Sequence, residues 1–107
     1  AQADMAEQDL AQTRQRVQAD AWRTASEAQQ AQATLERQRH ALQQLEKSAT
    51  LQERAYALGE SPLTDLLLAQ RGALEARLVA ETAALDAIQA HGRLLLDAHR
   101  LWRPPEH

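Results

Sequence analysis

The 107-residue chain contains no cysteine and no phenylalanine, a single tyrosine, two tryptophans, three glycines and three prolines. Each shortage excludes something. Without cysteine there is no disulfide and no thiolate metal site, but the compartment stays open, because many periplasmic proteins also lack cysteine. So few aromatic rings argue against a globular core and in favour of long helices, for which the abundant Ala, Leu and Gln suit. Apolar runs are short, as in LLLA from Leu66, far below the roughly 20 residues needed to cross a bilayer. The net charge of −3 arises from 12 basic and 15 acidic residues. They are interspersed, with no basic cluster to neutralise phosphates, so nucleic acid is set aside as a partner. The opening AQADMAEQDL has neither the basic head nor the apolar centre of a signal peptide. It reads as a helix already under way, and the expectation is a piece of a longer protein.

What is present is heptad order. From about residue 3 to 58 one seam comprises Ala21, Ala28, Leu35, Leu42, Ala49 and Tyr56. Its companion comprises Leu10, Val17, Thr24, Ala31, Gln38, Leu45 and Gln52. The companion seam holds two glutamines and a threonine, which makes this helix weak alone. A second helix is predicted over about 62–102. Leu67, Leu74, Ile88, Leu95 and Trp102 form one row, and Leu66, Ala73, Ala80, Ala87, Leu94 and Leu101 lie beside it. Leu78 and Leu85 widen the face further, beyond what a single partner helix covers.

Neither glycine nor proline occurs before YALGESPLTD, Tyr56 to Asp65. Gly59 can adopt the left-handed conformation that ends a helix, Ser61 can cap the next, and Pro62 suits its first position. Asp65 places a negative charge in the first turn, near the positive end of the helix dipole. A link this short makes the helices antiparallel neighbours. The predicted fold is therefore all-α: a long antiparallel two-helix coiled-coil hairpin with a tight turn at residues 59–61. Folding there opposes residues whose numbers add up to about 120. This register sets Leu42 near Leu78, Leu35 near Leu85, Ala28 against Gly92 in a close approach, and Val17 opposite Trp102, leaving the first fifteen or so residues unpaired.

Catalysis finds no support: no nucleophile with a base, no paired carboxylates and no glycine-rich phosphate loop is found, so neither catalytic residues nor a cofactor is expected. His91 and His99 lie about 12 Å apart along a helix, too far to share one ion, and His40 is near neither, so no metal site is expected. The charges suit helical pairs such as Asp20–Arg23, Glu36–Arg39 and Arg77–Glu81. Trp22 and Trp102 read as packing anchors.

The stretch YALGESPLTDLLLAQRGALEARL, Tyr56 to Leu78, resembles the periplasmic hairpin of TolC-like outer membrane factors, the exit ducts of bacterial tripartite efflux pumps. Tyr56, Gly59, Leu63, Asp65, Leu66, Leu67, Ala69, Gln70, Leu74, Ala76 and Leu78 stand at matching places. Weaker agreement extends through QADAWR and RLLLDAHRLW, so that the resemblance covers nearly all of the chain. The GE-SPL-DLLLAQR wording is most similar to the heavy-metal, cobalt–zinc–cadmium branch. The resemblance implies a periplasmic location within an outer-membrane protein and assembly of the full-length protein as a homotrimer forming a hollow helical cylinder. It also implies docking to a periplasmic adaptor and, through it, to an inner-membrane pump. Tyr56 and Asp65 match positions of the channel constriction, where facing acids resist full ionisation and attract cations. Leu58, Gly59, Glu60, Ser61, Pro62 and Leu63 match the adaptor-docking tip. Two departures stand out: some members carry a second acid where this chain has Leu68, and an arginine where it has Ser61. Two rival readings share the hairpin: that of the adaptor itself, whose arginine, leucine and serine Arg54, Leu58 and Ser61 imitate, and a purely structural coiled-coil stalk.

Overall fold

The computed structural model describes residues 2–102, and it is all-helical there: α1 spans Gln2–Ala57 and α2 spans Leu63–Trp102. α1 ends and α2 begins one residue inside the predicted bounds, α1 starts one residue before its predicted start, and α2 ends where predicted. α1 persists for 56 residues because nothing in it breaks a helix; its weak spacing of apolar residues is offset by good helix formers throughout. Arg54 in the last turn of α1, and Asp65 in the first and Arg100 in the last turn of α2, all complement the helix dipoles.

The chain divides into two units. One comprises residues 31–87 and contains the turn; the other combines α1 up to Gln30 with α2 from Ile88. Within the first, α1 and α2 run antiparallel along a seam of mostly small residues. Leu35, only 5% exposed, packs with Ala83 and Ala87, flanked by Ala31 and Ala84. On α2 the buried or half-buried positions include Leu66, Ala69, Ala73, Ala76, Ala80, Ala83 and Ala87, alternating by three and four, with Gly72 and Ala84 half-buried beside them. On α1 they include Ala31, Leu35, Gln38, Leu42, Ala49 and Gln52, as the heptad reading predicts, but also Thr34, Glu46 and Ala55, while Leu45, predicted for the same seam, is exposed. Arg77 Nη2 reaches Glu46 Oε1 across the seam at 3.2 Å.

The predicted leucine-to-leucine contacts are not the ones made. Leu78 and Leu85 are 57% and 61% exposed, and Leu35 meets alanines instead. The physical reason is size matching: α1 supplies the bulky residues, and alanine opposite them lets the backbones approach closely enough for each leucine to fill its hole. The register of about 120 is nonetheless the observed one, as Leu35 with Ala83 and Ala87 and Glu46 with Arg77 show.

In the second unit the same register holds. Thr24, buried, brings its hydroxyl to 2.5 Å from Asp97 Oδ2 and 2.7 Å from the Asp20 carbonyl, and Arg93 lies 3.8 Å from Glu27. Ala90 is buried, while Ala21, Ala28 and Leu94 are half-buried. Three readings need correction. An added Cβ at Gly92 would meet nothing within 4 Å, so the close approach to Ala28 is not made. Trp22 is 75% exposed and anchors no packing. Leu10 and Val17 are exposed like every described residue of α1 before Ala21; the Trp102 side chain and Pro104–Pro105 lie outside the described residues. Asp20 pairs with Arg23 as predicted, whereas Arg77 takes Glu46 rather than Glu81.

Candidate functional site

The residues singled out by sequence gather at the turn. α1 ends because Gly59 adopts φ +74°, a conformation that costs an L-residue its Cβ clearance. With that residue left-handed, the Gly59 N–H donates to the Tyr56 carbonyl at 3.0 Å and the Glu60 N–H to the Ala55 carbonyl at 2.8 Å. These two bonds are the Schellman closure, which satisfies carbonyls that the helix end would otherwise orphan. Leu58 still donates to Arg54 at 3.0 Å, so the helix is regular up to the reversal.

α2 starts at Leu63, and the Asp65 N–H donates to the Pro62 carbonyl at 3.2 Å. Pro62 thus sits immediately before the first helical residue, where its missing N–H costs nothing. Ser61 does not cap in the predicted way. Its hydroxyl lies 3.0 Å from Gln52 Oε1 and 3.5 Å from Asp65 Oδ2, a side-chain link rather than a bond to a backbone amide. Spacing alone makes Gln52 a polar interruption of the α1 seam, whereas here it ties the turn to the helix. Its place a short distance before the glycine was the available signal that it could tie the turn to the helix.

The outward surface of the turn is apolar and acidic. Leu58 is 73% exposed; Gly59, Glu60, Pro62, Leu63 and Asp65 are also exposed, and only Ser61 is half-buried. Tyr56 is exposed as well, because Ala55 takes the half-buried place in the last turn of α1; the predicted seam position of Tyr56 is therefore shifted by one residue. The arrangement sets two leucines and two carboxylates at an exposed surface. Among the described residues, no three His, Cys, Asp or Glu side chains gather as metal ligands, and no helix is long and apolar enough to cross a membrane.

Comparison with family models, curated proteins and solved structures finds no match to the chain.

Proposed function

We propose that this chain is the periplasmic hairpin of a TolC-like outer membrane factor, of the heavy-metal efflux type. Its full-length protein would form a homotrimeric duct, receive substrate from an inner-membrane pump through a periplasmic adaptor, and carry out no chemistry itself. The tip, Leu58 to Leu63, docks the adaptor, and Tyr56 and Asp65 lie at the aperture. The observation that carries this reading is the way α2 divides its apolar surface. It spends its alanines on α1 and leaves Leu67, Leu74, Leu78 and Leu85 facing outward, as a wall element with a neighbour on each side requires. The exposed leucines beside acids at the turn support a docking end, since apolar side chains at such a surface mark contact sites.

The test is Leu63→Asp in the full-length protein. Efflux and cross-linking to the adaptor should be lost while the trimer still assembles in the outer membrane. Undiminished efflux would remove the docking role.

A further inference from the structure

Among the described residues Thr24 is the only polar side chain that is buried. It belongs to the unit that α1 up to Gln30 forms with α2 from Ile88. Its hydroxyl lies 2.5 Å from Asp97 Oδ2 on α2 and 2.7 Å from the Asp20 carbonyl, one turn back on its own helix. A hydroxyl has one proton, so it serves one of these acceptors at full strength at a time. Asp97 has an alternative too. Its Oδ1 lies 3.9 Å from Nη1 of Arg100, one turn further along α2, and its side chain is 20% exposed against 77% for Arg100. Each partner of the cross-helix bond therefore has a second partner on its own helix.

Little else joins the helices in this unit. Among the described residues its buried apolar side chain is Ala90, with Leu94 half-buried and Leu95 and Leu96 exposed. The ion pair of Arg93 with Glu27 is exposed and 3.8 Å long, so it adds little. Residues 31–87 instead bury Leu35, Leu66, Ala80, Ala83 and Ala87. Sparse apolar burial is the condition under which a segment opens by itself. We propose that Thr24 and Asp97 form a reversible latch between α1 and α2. Closed, the hydroxyl donates to Asp97. Open, it donates to the Asp20 carbonyl while Arg100 takes the carboxylate, and the helices part in this unit while residues 31–87 stay paired. Both positions leave every polar group with a partner, which is what gives a contact two discrete states instead of one. The latch needs no duct and goes beyond that reading.

Native-state hydrogen exchange of the 107-residue chain tests it. Amides of residues 24–30 and 90–98 should exchange by an opening that low urea does not accelerate, since little surface is exposed. Thr24→Val keeps the side chain's shape and removes the hydroxyl. It should lower protection in those two segments about tenfold and leave residues 31–87 unchanged. Arg100→Gln removes the partner of the open state, so protection in the same segments should rise, by roughly twofold. A merely structural pair within α2 predicts the opposite sign. Protection lost equally along the whole chain in Thr24→Val, or lost nowhere, or lowered by Arg100→Gln, would each overturn the latch, while leaving the duct reading to its own test.

Discussion

Single positions carry different burdens in this chain, and two of its glycines show it. Gly59 is left-handed at φ +74°, so Gly59→Ala should destabilise the chain by about 1 kcal/mol even though the added methyl has room. Gly72 is helical, and a Cβ there meets nothing within 4 Å, so Gly72→Ala should stabilise by about 0.5–1 kcal/mol. Thermal melts of both variants followed at 222 nm check the opposite signs. Asp65 lies on the exposed side of the first turn of α2, with only the Ser61 hydroxyl near its carboxylate. If it lines an aperture, Asp65→Asn in the full-length trimer should change single-channel conductance or cation block, whereas pure dipole compensation leaves conductance unchanged and costs the hairpin roughly 0.3–1 kcal/mol.

At the scale of the helix, composition and function of the two faces of α2 part company. Leu35→Ala should cost about 2–3 kcal/mol, since Leu35 is the large side chain buried in the alanine seam. Ala83→Leu should also destabilise, by about 1–3 kcal/mol, because Ala83 is buried against Leu35 and three more heavy atoms would overpack that seam. Leu85→Ala should change the stability of the monomer little. Urea titration of the three variants orders them, and a large loss at Leu85 with none at Ala83 would mean that α2 uses its other face. This is also where sequence reading stopped short. The turn was legible because Gly59, Ser61 and Pro62 have few alternative uses within so few residues. The register and the α1 seam from Ala21 to Leu42 were legible from the heptad frame, whereas Leu10, Val17, Leu45 and Tyr56, which the same frame places in the seam, are exposed. α2 carries two frames, and hydrophobicity favours the leucine one; which of them faces α1 depends on how small a residue must be to admit Leu35 and Leu42. The link from Ser61 to Gln52, and the exposure of Trp22, follow from three-dimensional placement that spacing alone does not encode.

For the whole molecule, stability rests on a narrow strip rather than on an interior. Among the described residues few are buried, and apart from Leu35, Leu66 and Thr24 these are alanines; the ion pairs there are exposed and contribute little. Modest stability follows, weakly dependent on salt. The Schellman closure at Gly59 has one more consequence, and it concerns time. Contacts across the chain widen steadily in sequence separation, from 9 residues for Ser61 with Gln52 to 31 for Arg77 with Glu46 and 73 for Thr24 with Asp97. Loop closure favours the shortest first, so refolding should begin at the glycine and run outward like a zip. Substitutions at Gly59 and Ser61 should therefore slow refolding, while Thr24→Val should chiefly speed unfolding. Stopped-flow chevrons with the reverse assignment would place the nucleus at the far end.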